Sequence, residues 1–195
     1  MVRIEVVYLV PRDGIPRRDA HLAILRAMAS CQKFYMEECR VLINWRLRAT
    51  SVFGRERASA YEHYSAVLSE VQRANSGPSP IVGVFFQGPL MNGAFAWVGN
   101  GEPDIFVIAE PYLSQILRGR GIETVAHEIG HTLGLDDHST GTSIMSSRCN
   151  HDGLDRRPIL PWRRAHLNQE EIERVQSMWR WNGLRRAHTT RSRRG

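Results

Sequence analysis

A chain of 195 residues with 42% hydrophobic and 24% charged residues is long enough for one compact domain, and too apolar to stay disordered. No apolar run approaches the roughly 20 residues of a membrane helix, so no membrane span is expected, and the N-terminus lacks the continuous apolar stretch of a secretory signal. The net charge of +6 rests on 26 basic residues that are all arginine except Lys33; a GC-rich coding bias explains that preference more simply than a nucleic-acid role does.

In chain order, Val2 to Val10 reads as a strand with Val2, Ile4, Val6 and Tyr8 on one face. Asp19 is placed to cap a helix running to about Cys39, with Leu22, Leu25, Met28, Tyr35 and Cys39 as its inward side. On that helix Cys31 and Cys39 stand about 12 Å apart, beyond disulfide reach. Three buried thiols are the simpler reading, although Cys149 could bridge to one of them. Ile43, Trp45 and Leu47 mark a second strand. Ser59 to Ala74 reads as a short helix with Tyr61, Tyr64, Leu68 and Val71 inward, and Asn75 to Pro80 as a turn-rich break. Ile81 to Phe86 and Asp104 to Ala109 are buried strands, with a short strand, Ala94 to Val98, between them.

A helix from about Glu123 to Leu133 follows, then a glycine- and serine-rich loop and a proline-rich stretch from Arg157 to Trp162. A last helix, opened by Asn168-Gln169-Glu170-Glu171, runs to about Trp181. The alternation predicts a mixed α/β (α+β) domain over residues 1–182, with helices packed on a small sheet. Residues 183–195 form a basic tail with Arg185, Arg186, Arg191, Arg193 and Arg194, and almost nothing apolar to bury, so disorder is expected there.

The chemistry concentrates in Thr124-Val125-Ala126-His127-Glu128-Ile129-Gly130-His131-Thr132-Leu133-Gly134-Leu135-Asp136-Asp137-His138. Four residues apart on a helix, His127 and His131 share one face, a spacing that suits two nitrogens about 2 Å from one Zn²⁺. Glu128 points about 100° around the helix from His127, within reach of a water without being a ligand. A catalytic zinc takes three protein ligands and keeps one position open. On an unbroken helix Asp137 would lie about 9 Å beyond His131, but a left-handed Gly134 would end the helix and turn the chain back. The histidine pair with its glutamate arises by chance in about one such chain in fifty; adding the glycine and a ligand three residues on makes that roughly one in ten thousand.

This pattern, followed by Ser143-Ile144-Met145-Ser146, resembles the metzincin zinc peptidases and their methionine turn. The resemblance implies a twisted mixed sheet, an active-site helix, and a small C-terminal subdomain, dividing the domain into an upper part, 1–134, and a lower part, 135–182. It implies one catalytic Zn²⁺ held by His127, His131 and a third ligand, Glu128 as general base, and Met145 beneath the metal. It also implies that Ala94 to Gly99 is an edge strand that pairs with an extended polypeptide substrate.

Most metzincins carry histidine where this chain has Asp137; the snapalysin-type branch is similar in having aspartate followed by histidine. Asp137 stands at the family spacing, and His138, one position late, is the alternative ligand. The tyrosine ligand of some branches and the cysteine switch of matrixins have no counterpart.

His151 and Asp152 read as surface-loop residues, and His21, His63, His166 and His188 as solvated. Trp162, Trp179 and Trp181 read as packing residues. The expectation is a monomeric zinc metalloendopeptidase. Competing readings are a basic nucleic-acid or anionic-surface binding protein with a structural zinc, and a metzincin-like binding module without catalysis.

Overall fold

The structure, a computed structural model, describes residues 1–61, 63–74, 81–88, 93–98, 103–137, 143–146 and 165–178. The expected turn at 75–80, the proline-rich stretch, Cys149, Trp162, Trp179, Trp181 and the tail at 183–195 lie outside them, as does the side chain of Tyr64.

Strands β1 (Val2–Val10), β2 (Ile43–Leu47), β3 (Val52–Phe53), β4 (Ile81–Phe86), β5 (Ala94–Trp97) and β6 (Asp104–Ala109) form one mixed sheet. Its order is β2-β1-β4-β6-β5, with β3 continuing beside the far end of β1. All pairings are parallel except β5 with β6, and β5 stands at the sheet's edge. Strands β4 and β6 are almost wholly buried because helices cover both faces, which is why they read as continuous apolar runs.

One face carries helices α1 (Ala20–Cys39), α3 (Glu110–Leu117) and α4 (Ile122–Thr132), packed on Val2, Ile4, Val6, Tyr8, Phe85 and Phe106. The other face carries a 3-10 turn (Ala58–Tyr61) and helix α2 (Tyr64–Ala74), whose Val67, Leu68 and Val71 meet Val7, Leu9, Val84 and Val107. The strict alternation along β1 therefore divides its side chains between two cores. No described helix is long and apolar enough to cross a membrane.

Three local expectations are corrected. Leu22 and Leu25 are exposed, at 62% and 43%. Met28, Tyr35 and Cys39 are buried as expected, and the rest of the buried side comes from Ala20, Ala23, Ile24, Ala27, Cys31 and Phe34, whose small members let the helix lie close to its neighbours. Asp19 precedes α1 but makes no capping bond, because Arg17 engages both its carboxylate oxygens, at 2.9 and 2.8 Å. Helix α3 was not expected: it starts directly from β6 with Pro111 in its first turn, where the missing N–H costs nothing. Cys31 and Cys39 are buried free thiols, and burial pushes both up, Cys39 to about 11.

Candidate metal centre

Helix α4 follows Gly121 and is buried at every residue except His131. It ends as the sequence requires. Gly134 takes φ +85°, its N–H donates to the His131 carbonyl at 2.9 Å, and the Leu135 N–H donates to the Gly130 carbonyl at 3.0 Å. This is a Schellman end, with glycine in the left-handed position. It sends Leu135-Asp136-Asp137 back toward the face that carries the histidines.

The two imidazoles are oriented from behind. His127 Nδ1 donates to the Ile144 carbonyl and His131 Nδ1 to the Leu135 carbonyl, both at 2.9 Å. A ring nitrogen facing a carbonyl must carry the proton, so each Nε2 presents a lone pair. The two Nε2 atoms lie 2.9 Å apart, and Asp137 Oδ1 lies 3.2 Å from that of His127 and 3.7 Å from that of His131. These three residues form the one metal-capable His/Cys/Asp/Glu group among the described residues.

With both rings neutral, two lone pairs and a carboxylate oxygen face one point, an arrangement that a cation would stabilise. Ligands about 2.0–2.1 Å from a tetrahedral zinc lie about 3.3 Å apart, and the three separations straddle that value. The donor set and spacing therefore fit a divalent ion.

Glu128 is 5% exposed and lines the same open cleft, about 550 Å³ in volume. Burial pushes its carboxyl up to about 7; His127 opposes the shift and Asp137 adds to it. A cation among the neighbouring ligands would draw it back down. The cleft is walled on one side by β5, through Ala94, Phe95 and Ala96, and on the other by Leu135, Asp136, Arg174 and Met178.

Met145 is fully buried on the core side of α4. A β-carbon at Gly130 would stand 2.5 Å from its sulfur, so glycine within the helix is what admits the methionine. A glycine between the two histidines was visible in the sequence, but its partner was not. Tyr35 of α1, fully buried, donates to the Ala126 carbonyl at 2.6 Å and braces the same stretch. Glu171, Arg174 and Met178, on the helix over residues 169–178, also reach the site from below and were missed. Nothing local in the sequence marks them, because their partners are about thirty to forty residues away.

The alternative ligand His138 lies outside the described residues, as do His151, Asp152, His188 and Gly99. His63 is exposed and His166 half-buried. His21 departs from the expected solvated state: it is half-buried, edge-on to Tyr8, and its Nε2 finds no hydrogen-bond partner among the described residues.

No protein-family profile and no curated protein matches the chain. Solved structures do. An archaemetzincin from Methanopyrus kandleri superposes with a TM-score of 0.57 at 16% identity, over 91% of this chain and 96% of the other. Metalloproteinase-II from Bacteroides fragilis gives 0.54 at 14% identity, over 91% of this chain and 53% of that one. A chain from a chaperone–substrate complex gives 0.51 at 16% identity, over 90% of this chain and 34% of its own length. At such identities the likeness is one of fold: the chain shares the fold of the archaemetzincin and of the metalloproteinase.

Proposed function

We propose that the chain is a metzincin-type zinc endopeptidase in which His127, His131 and Asp137 hold the ion and Glu128 is the general base. The observation that carries this reading is the convergence of two oriented Nε2 lone pairs and one carboxylate oxygen within 3.7 Å of one another, open to a cleft that Glu128 also lines. Zinc in such a site polarises a carbonyl and lowers the pKa of a water. Glu128 would take the attacking water's proton and return it to the leaving amine. The antiparallel edge strand β5 borders the cleft and offers its backbone to an extended polypeptide, which would then lie across the histidines.

Structural zinc sites are closed by four protein ligands, often cysteines. The three converging groups here include no cysteine and face a cleft, which favours catalysis over the structural-zinc reading. The matrixin-like or snapalysin-like assignment rests on the Gly134-to-Asp137 spacing and Met145 alone. The test is to measure the zinc content of purified protein and digest a general peptide library with and without a chelator. About one zinc per chain and chelator-sensitive cleavage at internal bonds are expected; zinc-loaded protein that cleaves nothing would overturn the reading.

A further inference from the structure

The helix over 169–178 meets the metal site at three points along one face. Glu171, Arg174 and Met178 fall at helical spacing, and Val175 beside them is buried in the core. Glu171 and Asn168 close a capping box, with bonds of 2.7 and 2.9 Å. The other Glu171 oxygen accepts from Ser143 Oγ at 2.6 Å, and that hydroxyl accepts from the Met145 N–H at 3.1 Å. The loop whose Ile144 carbonyl orients His127 is thus tied to the helix. Further along, Arg174 Nη1 lies 2.7 Å from Asp136 Oδ2. Beyond it, Met178 lies over Gly134, where a β-carbon would meet its sulfur at 2.0 Å.

We propose that Arg174 is a positioning residue for the third ligand: through Asp136 it fixes the turn Leu135-Asp136-Asp137 and holds the Asp137 carboxylate at the two histidines. The inference rests on the zinc reading above. His127 and His131 are oriented by carbonyls behind their rings, whereas Asp137 is 42% exposed and Asp136 is 76% exposed. Water competes for both carboxylates, so a contact from a second element adds to whatever order the turn already has. Arg174 stands on a capped helix with a buried face, so the helix, and not the half-exposed guanidinium itself, is the fixed point against which the turn can be set. An exposed ion pair adds little to overall stability. Its consequence lies in where it leaves the next residue.

Electrostatics alone predicts the opposite sign for the decisive variant. Removing a cation beside a divalent ion should tighten zinc binding, whereas losing a positioning contact should weaken it. The experiment titrates zinc against a competing chelator in R174M, D136N, the double variant and R174K, and follows thermal unfolding of each metal-free protein. R174M and D136N should each weaken zinc about 10–100-fold, the usual scale for groups that orient a ligand. The double variant should be no worse than the poorer single one, because both break the same contact. R174K should recover part of the loss, and metal-free unfolding should barely move. Unchanged or tighter zinc binding in R174M, or fully additive losses in the double variant, would overturn the proposal. Absence of zinc from the unaltered protein would instead remove the function reading itself, and this inference with it.

Discussion

His127 and His131 stand on a helix buried along its length, and are 1% and 20% exposed. Asp137 stands three residues past the helix end, on a turn, and is 42% exposed. The histidines are aimed by backbone carbonyls that the fold supplies whether or not an ion is present. The aspartate follows a left-handed glycine and stands next to an ion-paired residue, Asp136. In the proposed site two ligands would therefore form a preset platform, and the third would close on it from a segment that water can reach.

That contrast is broken most severely at the platform. His131→Ala should abolish stoichiometric zinc and with it peptide cleavage, since one imidazole and a carboxylate are too few for a catalytic ion. Zinc analysis of the purified variant checks this, and a full complement of tightly held zinc would discard the ligand assignment. Next in size, Glu128→Ala should retain the zinc and slow peptide cleavage about 10²–10⁴-fold, the range for general-base catalysis. Cleavage at the original rate by zinc-loaded variant would mean that another group takes the proton.

The closing ligand should respond more gently. Asp137→Ala is expected to weaken zinc at least about 10–100-fold, with a smaller effect from His138→Ala. Parallel titrations decide between them. A variant lacking His138 that cannot hold zinc, beside an Asp137→Ala protein that can, would reverse the assignment and make this a matrixin-like site with one inserted residue.

The preset half of the site was legible in the sequence and the closing half only in outline. His127, Glu128 and His131 could be placed because helical spacing is local, and Gly134 because a left-handed helix end needs only its own residue. The strands were legible for the same reason: burial on both faces writes itself as near-continuous apolar runs at 81–86 and 105–109. Helix α3 was lost because Pro111 looks like a breaker when its neighbours are unknown. On α1 the expected Met28, Tyr35 and Cys39 are buried but Leu22 and Leu25 are not, because the small alanines at 20, 23 and 27 mark the close contact. The braces from Glu171, Arg174 and Met178 were beyond reach, since each acts across a tertiary contact that no periodicity encodes.

The turn itself can be probed at Gly134. An L residue there must adopt φ near +85°, at a cost of about 1–2 kcal/mol, and must also push Met178 aside. Gly134→Ala should lower metal-free stability by about that backbone amount, because Met178 is 41% exposed and its end can swing away. Repeating the substitution in a Met178→Ala background separates the two contributions. If the loss vanishes there, the steric clash and not the left-handed backbone was its source.

The smallest effect is expected on the far face of the sheet, away from both halves of the site. Glu70 of α2 is 6% exposed; it accepts from the Arg55 N–H at 3.0 Å and from Arg73 Nε and Nη2 at 2.9 and 2.6 Å. Burial alone would raise its pKa, but the Arg73 and Arg55 contacts outweigh it and leave the carboxyl below its usual range. A carboxyl depressed in the folded state stabilises the fold fully above its unfolded pKa of about 4.3. That contribution fades as the pH falls through the lower, folded value. Glu70→Gln should therefore cost about 1 kcal/mol near neutrality and progressively less in acid, where the parent also loses the charge. Urea unfolding of both proteins at neutral and acid pH measures the convergence. Zinc affinity should not change, because this helix face lies on the opposite side of the sheet from the helix that carries His127 and His131. A gap between the two proteins that widens in acid would reverse the assigned direction of the shift, and a loss of zinc would mean that the two faces of the sheet are coupled after all.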